Sequence, residues 1–290
     1  MLVTGASGLV GHAVAARFLA DGARVTALGR RPDPVMPIQP IDLVRDPWPK
    51  ADWDLIVHCA ARIPLRFDGP EAEAATADNR VMDDRAIDAA AAAGAYLAFF
   101  STASVYGTTA GLINDETPAA PVLGYAREKL ATEEAIAARG IRAGIFRLVA
   151  PYGPRQTRHT VLRRFLDLAL TGAPLRYYGS GGRTQDFLHV DDVASAIELA
   201  ARRRAVGRFL LASGVAIPMR DLAQLMVEVT ASRSAVEPAG VPDPEEGRML
   251  TYHTDRLRDE LGFRPSISLP SGIVAWARVR RGELEHGAAR

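Results

Sequence analysis

The chain has 290 residues, of which 48% are hydrophobic and 24% charged, and its net charge of +1 gives no electrostatic case for nucleic acid or an acidic membrane surface as a partner. Its one cysteine, Cys59, excludes an internal disulfide, and Met1 leads straight into a glycine-rich segment rather than into a basic and then apolar leader. Because no apolar run approaches the roughly 18 residues that a membrane span needs, we expect a cytoplasmic protein with no membrane partner.

Short β-like runs alternate with alanine-rich helical segments through the first half of the chain. Strands are predicted over residues 2–5, 24–29, 54–61, 95–102 and 142–150, and helices over residues 10–20, 71–93 and 125–138. Strands that alternate with helices of this length predict an α/β fold built on a Rossmann-type, doubly wound parallel sheet.

The pattern changes after residue 150, where Pro151 ends the last of these strands. The later segments are a loop at 179–182, a helix at 190–204, a strand at 208–213, a helix at 219–229, a proline-rich loop at 238–244 and a closing helix near Ile273. We therefore divide the chain into a nucleotide-binding domain, residues 1–150, and a smaller α/β lobe, residues 151–290, that mainly binds substrate. One or two strands of this lobe are expected to extend the main sheet.

A G-x-x-G-x-x-G motif lies between the first predicted strand and the first predicted helix. Glycines there permit a tight turn and a close approach of phosphates, and the N-terminus of the helix offers unpaired N–H groups to an anion. The motif predicts a dinucleotide site, with a bare glycine turn as the alternative. The residues expected to touch the cofactor here are Gly5, Ser7, Gly8, Leu9, Val10 and Gly11.

The end of the second predicted strand indicates which dinucleotide binds. An acid at this point would hold the ribose 2′-hydroxyl of NAD, but the chain has Gly29 followed by Arg30 and Arg31. Arginine suits a 2′-phosphate, by charge and by stacking on adenine. Asp33 comes after a proline and lies too far along to serve. We therefore expect NADP(H) in preference to NAD(H), and the alternative is that the two arginines form a solvated turn.

Tyr125 and Lys129 are four residues apart on a predicted helix, so they share one face. A nearby ammonium stabilises tyrosinate and brings the phenol toward a pKa that is useful for proton transfer. A hydroxyl from Ser101, Thr102 or Ser104, at the end of the strand before this helix, would bond the same substrate oxygen. The pair is unexpected by chance, because the chain has only two lysines.

These segments together resemble the extended short-chain dehydrogenase/reductase family, in its sugar-nucleotide epimerase/dehydratase branch, and the resemblance runs nearly end to end. It is carried by residues 5–11, Asp42 and Leu43, residues 58–61, Asn79, residues 101–107, residues 125–129, Arg147, residues 152–154, residues 186–194 and residues 261–265.

The resemblance implies a role for each matching position. Tyr125 would be the general acid/base, Lys129 would hold the nicotinamide ribose and tune Tyr125, and Thr102 would bond the substrate oxygen. Tyr106 is expected to be structural. The further cofactor contacts that the resemblance implies are Asp42, Leu43, Cys59, Ala60, Ala61, Asn79 and Leu148, and the implied substrate contacts are Thr102, Ala103, Ser104, Ala150, Arg183 and Gln185.

The two residues after Thr102 narrow the reaction. Family 4,6-dehydratases have Asp-Glu at this point, whereas this chain has Ala103 and Ser104, so dehydration is disfavoured. Hydride transfer at one carbon remains, either as a net reduction or oxidation or as a 4-epimerisation with tightly bound NAD. The arginines after Gly29 favour reduction. A catalytically silent NADP-sensing protein is a third possibility.

The substrate is less well defined, because three positions depart from the family pattern. Ala150 and Leu210 stand where asparagine is common, and Gln185 stands where arginine is common. Arg183 shares the strand face of Gln185 and would reach a diphosphate in its place, unless it is an exposed loop cation. We expect a sugar nucleotide or a related polar ketone as the substrate.

Two further expectations concern metals and assembly. His58 and Cys59 are too few to form a metal site, so no metal is predicted. The alanine-rich helical stretches at 86–93 and 131–138 correspond to helices that pair two subunits in the family, so a homodimer is expected.

Overall fold

The computed structural model describes residues 1–64 and 66–288, and its strands and helices alternate along most of the chain. In chain order the strands are β1 (Leu2–Thr4), β2 (Thr26–Gly29), β3 (Ile38–Pro40), β4 (Leu55–His58), β5 (Tyr96–Thr102), β6 (Gly111–Ile113), β7 (Ala143–Leu148), β8 (Ala150–Tyr152), β9 (Leu175–Tyr177), β10 (Thr184–His189), β11 (Gly207–Leu211), β12 (Ala216–Pro218), β13 (Val236–Pro238) and β14 (Leu250–Tyr252). The α-helices are α1 (Leu9–Ala20), α2 (Pro70–Ala93), α3 (Gly124–Ala138), α4 (Val161–Thr171), α5 (Val190–Arg203), α6 (Met219–Thr230), α7 (Asp255–Leu261) and α8 (Leu269–Ala288).

The central sheet has seven parallel strands in the order β11-β7-β5-β4-β1-β2-β3. The chain builds outward from β1 through β2 to β3, and then crosses to the other side of β1 to form β4. The order therefore reverses between β1 and β4, where the helices on the two sides diverge and leave a crevice at the carboxyl ends of the strands. The predicted Rossmann-type α/β fold is confirmed.

Both faces of the central sheet are covered, which explains why β5 is apolar along almost its whole length. Tyr96, Ala98 and Phe100 pack into the core that is formed with α1 and α5, whereas Leu97 and Phe99 pack into the core that is formed with α2 and α3. Successive side chains of a strand point to opposite faces, so each face receives alternate residues of β5.

Part of the second half of the chain, here called the lobe, has a core of its own. Side chains of α4, α6 and α8 bury Phe165, Leu222 and Trp276 against one another. Three small sheets belong to this part of the structure or bridge to it, with the pairings β8–β10–β12, β9–β13 and β6–β14. The strand β11 instead joins the edge of the central sheet beside β7, so this part of the chain after residue 150 returns to the main sheet. The division at residue 150 itself stays a prediction.

Within the described part of the chain, no helix is both long enough and apolar enough to cross a lipid bilayer.

Candidate active site

The glycine loop joins β1 to α1 at the point where the strand order reverses. Gly5 has a φ of +69°, and a Cβ on it would lie 2.7 Å from the backbone nitrogen of Ala60. The Gly8 N–H donates to the Gly5 carbonyl at 2.9 Å, which closes a tight turn. Because Gly8 precedes α1 without any side-chain cap, the first N–H groups of α1 are left for an anion. These features fit the pyrophosphate of a dinucleotide.

A cavity of about 740 Å³ opens beside this loop. Most of the residues predicted to hold the cofactor line it, namely Gly5, Ser7, Gly8, Arg30, Arg31, Asp42, Leu43, Cys59, Ala60 and Ala61. It extends from the glycine loop to the end of β2, so its shape and position suit the adenosine half of a dinucleotide. Partial burial raises the pKa of the Cys59 thiol, so it is not a reactive thiolate.

The predicted cofactor residues Leu9, Val10, Gly11, Asn79 and Leu148 do not line this cavity. Leu9, Val10 and Gly11 form the first turn of α1, and Leu148 ends β7. Asn79 is buried on α2, where it acts on the backbone rather than facing the cavity. Its Oδ1 accepts from the Arg62 N–H at 2.7 Å and its Nδ2 donates to the Arg62 carbonyl at 2.8 Å, which pins the loop after β4.

A second cavity, of about 550 Å³, lies between the central sheet and the lobe. It is lined by Tyr125 and by every residue predicted to contact substrate, namely Thr102, Ala103, Ser104, Ala150, Arg183 and Gln185. Cys59, Ala60 and Ala61 line both this cavity and the first one. The two cavities therefore adjoin at the end of β4, as a hydride transfer between cofactor and substrate requires.

Tyr125 is the second residue of α3 and is half-buried in the wall of the second cavity. Burial raises the pKa of its phenol, and Asp83 raises it further, while Lys129 and Arg158 lower it. The Phe67 ring lies 6.2 Å from the Tyr125 ring, centroid to centroid. Among residues 1–64 and 66–288 the Tyr125 hydroxyl has no hydrogen-bond partner.

Thr102 ends β5 and caps the short 3-10 helix Ala103–Tyr106. Its Oγ1 accepts a hydrogen bond from the Ser104 N–H at 3.1 Å, so the hydroxyl hydrogen remains to be donated. Tyr106, in contrast, is fully buried and donates its hydroxyl to the Asn114 carbonyl at 3.3 Å. Of these two residues, only Thr102 lines the second cavity.

Lys129 lies one turn after Tyr125 on α3 and is almost completely buried. Its Nζ lies 3.1 and 3.2 Å from the carboxylate oxygens of Asp83 on α2. Sequence reasoning missed Asp83, although it lies four residues after Asn79 and therefore shares its helix face.

Three arginines from the second half of the chain, Arg158, Arg183 and Arg248, line the second cavity. Arg183 donates from Nε to Asp243 at 2.9 Å, and its Nη1 lies 3.5 Å from Glu245, so it is held between two carboxylates. Arg248 also pairs with Glu245. Arg158 donates to the Pro64 carbonyl at 3.2 Å and has no carboxylate partner within the described residues.

Sequence reasoning missed both Arg158 and Arg248, because each comes from an irregular loop far along the chain from Tyr125. No group of three or more His, Cys, Asp or Glu side chains is arranged to hold a metal ion in residues 1–64 and 66–288.

Comparisons with known proteins agree with this geometry. The sequence model of the NAD dependent epimerase/dehydratase family matches residues 1–211. The UDP-glucose 4-epimerase of Mycolicibacterium smegmatis is 30% identical, over 94% of this chain and 96% of that protein. The dTDP-glucose 4,6-dehydratase of Streptomyces griseus is 28% identical, over 97% of this chain and 94% of that protein. The solved structure of MoeE5 in complex with UDP-glucuronic acid and NAD has a TM-score of 0.87 and 27% identity, over 97% of this chain and 99% of that one.

Proposed function

This chain belongs to the NAD dependent epimerase/dehydratase family, and from that membership we propose that it is an NAD(P)-dependent oxidoreductase acting on a sugar nucleotide or a related polar ketone. The observation that carries the proposal is a single cavity that contains Tyr125, Thr102 and the predicted substrate residues, and that adjoins the dinucleotide cavity. The reaction is hydride transfer at a carbonyl or alcohol carbon.

The side chains perform the proton chemistry of this reaction. Thr102 donates its hydroxyl hydrogen to the substrate oxygen and fixes the position of that oxygen. During reduction Tyr125 gives its phenolic proton to the same oxygen, and during oxidation it takes the proton back. NAD(P), when bound, supplies or accepts the hydride at the adjoining carbon. Lys129 lowers the pKa of Tyr125 by its charge and holds the nicotinamide ribose.

The cations of the second cavity favour an anionic substrate. Arg158, Arg183 and Arg248 all line this cavity, and guanidinium groups suit the oxygens of a diphosphate. Arg158 is free of carboxylates within the described chain, so its charge is available to a ligand. A sugar nucleotide, which joins a polar sugar to a diphosphate, has this chemistry. The proteins named above with UDP- or dTDP-glucose in their names have substrates of the same class.

Dehydration is not proposed, although one of the relatives is named as a 4,6-dehydratase. Ala103 and Ser104 come directly after Thr102 in the cavity wall, and neither carries a carboxyl group that would remove or donate the protons of a water elimination. Reduction, oxidation and epimerisation need only the proton transfer that Tyr125 provides.

NADP(H) is our preferred cofactor because of the residues at the end of β2. A Cβ on Gly29 would lie 2.9 Å from the backbone nitrogen of Ser7, so the acid that binds a ribose 2′-hydroxyl does not fit there. Asp33 is not available either, because it accepts from the Val35 N–H at 3.0 Å and pairs with Arg155.

Arg30 and Arg31 line the first cavity, beside the glycine loop, and neither has an ion pair with the residues that the structure describes. Their free charge suits a 2′-phosphate. The alternative, a 4-epimerase with tightly bound NAD, is favoured by the NAD in the MoeE5 complex and by the epimerase relative.

The test is to purify the protein without added nucleotide, measure any cofactor it releases, and titrate NADPH and NADH by fluorescence. We expect an empty site that binds NADPH more tightly than NADH. Replacing Arg30 and Arg31 together by glutamine should weaken NADPH binding about tenfold or more and leave NADH binding unchanged. Arg45→Gln is the matched control, because Arg45 lines the same cavity but faces Asp42. Retained NAD with little affinity for NADPH would favour the epimerase.

We also propose a homodimer that forms through the outer faces of α2 and α3. Arg80 and Arg139 tie these helices together by ion pairs with Glu128 and Asp88, each 2.7 Å long. Val81 of α2 is 38% exposed. Light scattering on the purified protein tests this assembly, and replacing Val81 by glutamate should shift the mass toward that of one chain.

A further inference from the structure

The ammonium of Lys129 lies in a buried pocket that is closed by one carboxylate. Its Nζ is 3.1 Å from Oδ1 and 3.2 Å from Oδ2 of Asp83, and each of the two side chains is no more than 2% exposed. The Phe99 ring covers another side, with its centroid 4.5 Å from the nitrogen. The charge of Lys129 is therefore compensated inside the protein rather than by solvent.

A hydrogen-bonded chain continues from Asp83 to the start of the glycine loop. His58 Nε2 is 2.9 Å from Asp83 Oδ1, and His58 Nδ1 is 2.9 Å from Thr4 Oγ1. Burial lowers the pKa of His58 although Asp83 opposes this effect, so the ring is neutral and carries one proton. A carboxylate only accepts, so that proton is on Nε2, and Nδ1 accepts from the Thr4 hydroxyl. Thr4 Oγ1 in turn accepts from the Ala60 N–H at 3.3 Å.

Asp83 accepts hydrogen bonds from three side chains of this network, His58, Lys129 and Thr132. Burial alone would raise the pKa of its carboxyl, but the Lys129 charge and the hydrogen bond from His58 outweigh burial, so the pKa lies below its ordinary value and the group is ionised. Thr132 Oγ1 donates to Oδ2 at 3.0 Å. Both carboxylate oxygens therefore accept from two donors each, and every donor is fixed by its own helix or strand.

We propose that Asp83 is a positioning residue for the active site, which orients the Lys129 ammonium and links it through His58 and Thr4 to the strand end that carries the glycine loop. An ammonium has three N–H donors. The two that bond Asp83 leave one for the cofactor ribose, so the carboxylate sets the direction of that remaining bond. This inference rests on the proposed function, because it assigns a partner to a lysine that the proposed function uses.

The network joins four elements at the switch point of the sheet. Asp83 is on α2, Lys129 on α3, His58 at the end of β4 and Thr4 at the end of β1. Movement of any one of them would displace both the lysine and the glycine loop. Misplacement of a reacting group by about 1 Å can lower a rate about a hundredfold, so a remote carboxylate of this kind affects turnover without touching substrate.

The charges that face the Tyr125 hydroxyl provide a separate measure of this role. They come from Lys129 on its own helix, Asp83 on α2 and Arg158 on the loop before α4, and of these only Asp83 raises the pKa of Tyr125. Asp83→Asn keeps the side-chain shape and removes the charge. For oxidation of an alcohol, which needs tyrosinate, the rise of kcat/KM with pH should therefore move to lower pH in Asp83→Asn.

The experiment compares the parent, Asp83→Asn, Lys129→Met and the double variant, with Asp84→Asn as the matched control because Asp84 is the next residue of α2 and is exposed. Asp83→Asn should weaken NADPH binding and lower kcat about tenfold or more. Lys129→Met should lower the melting temperature by leaving the buried Asp83 carboxylate without a cationic partner, and the double variant should regain part of that loss.

Three results would overturn the inference. The first is an NADPH affinity and a kcat in Asp83→Asn that are within twofold of the parent values. The second is a rise of kcat/KM with pH that stays in place or moves to higher pH in Asp83→Asn. The third is a loss of NADPH affinity in the double variant that equals the product of the losses in the two single variants. The melting temperatures show whether a loss of affinity or kcat in Asp83→Asn comes from a loss of stability. A parent that binds neither NADPH nor NADH would instead contradict the proposed function.

Discussion

The guanidinium of Arg147 forms a two-point ion pair with the carboxylate of Glu133, with Nη2 2.7 Å from Oε2 and Nε 3.1 Å from Oε1, and both side chains are buried. Ser101 also donates to Glu133, and Arg208 approaches it at 3.3 Å. Burial would lower the pKa of Arg147, but Glu133 outweighs it and keeps the pKa raised. The pair ties β7 to α3, the helix that carries Tyr125.

Breaking this pair should destabilise the protein strongly, because it leaves Arg147 without its carboxylate or leaves Glu133 with only the half-exposed Arg208 as a cationic partner. We expect Arg147→Met or Glu133→Gln alone to lower the free energy of unfolding by about 3–5 kcal/mol, and Arg147→Met combined with Glu133→Leu to cost less. Urea denaturation measures the differences. The exposed pair of Arg176 and Glu237 is the control, since Arg176→Gln should cost less than about 1 kcal/mol. Equal costs for buried and exposed pairs would contradict this account.

Tyr125→Phe removes only the phenolic oxygen of the proposed acid/base. Turnover should fall by about 10²- to 10⁴-fold, the usual contribution of a positioned proton donor, while NADPH affinity stays within about twofold of the parent. Steady-state rates and fluorescence titrations give both values.

Tyr106→Phe is the matched control for Tyr125→Phe, because Tyr106 is buried outside the substrate cavity. It should lose about 1 kcal/mol of stability with its hydrogen bond and keep its turnover. A parent that equals Tyr125→Phe in every assay would instead indicate a catalytically silent NADP-sensing protein.

The sequence predicted the parts of the fold that depend on local patterns. The buried strand β5 is apolar, the helix α3 has helical composition, and the glycines before α1 indicate a tight turn. Each of these features can be predicted from the sequence alone. Thr102 is the last residue of β5, and Tyr125 is the second residue of α3, the next α-helix along the chain. Both therefore lie near the carboxyl-terminal edge of the parallel sheet, where such segments meet. For this reason their presence in one cavity could be expected from sequence.

Contacts between distant elements could not be predicted in this way. Asp83 contacts Lys129 because α2 packs against α3. The hydrophobic periodicity of either helix does not specify which partner it packs against. Arg183 forms an ion pair with Asp243, which is 60 residues further along the chain. The sequence therefore does not indicate that the Arg183 charge is paired. The strand β3 has only three residues and ends in Pro40, which is too short for an alternating pattern.

Asn79→Ala should loosen the loop that separates the two cavities, because two hydrogen bonds to the Arg62 backbone are lost. We expect a loss of about 1–3 kcal/mol in stability and a weakening of NADPH binding of about tenfold. Asn79→Asp is the graded comparison, since it keeps the acceptor for the Arg62 N–H but loses the donor. If cofactor affinity is the same in all three proteins, the loop does not depend on Asn79.

The last prediction concerns pH and Asp186, which lies on β10 in the wall of the substrate cavity. Burial raises the pKa of its carboxyl from 3.8 to about 6, even though the N–H groups of Ser213 and Gly214 donate to it. The folded protein therefore binds this proton more tightly than the unfolded chain does. The resulting stability is fully present below the unfolded-state pKa and is lost as pH rises through about 6.

A pKa change of this size corresponds to about 3 kcal/mol of unfolding free energy, lost between about pH 4 and pH 7. Urea denaturation at several pH values should show the unfolding free energy of the parent declining relative to that of Asp186→Asn, which cannot titrate there. Asp221→Asn is the control, because the Asp221 side chain is 53% exposed and its replacement should leave the decline unchanged. If Asp186→Asn declines as steeply as the parent, another buried group must release the proton. In that case the hydrogen bonds from the backbone N–H groups of Ser213 and Gly214 would lower the pKa of Asp186 by more than burial raises it.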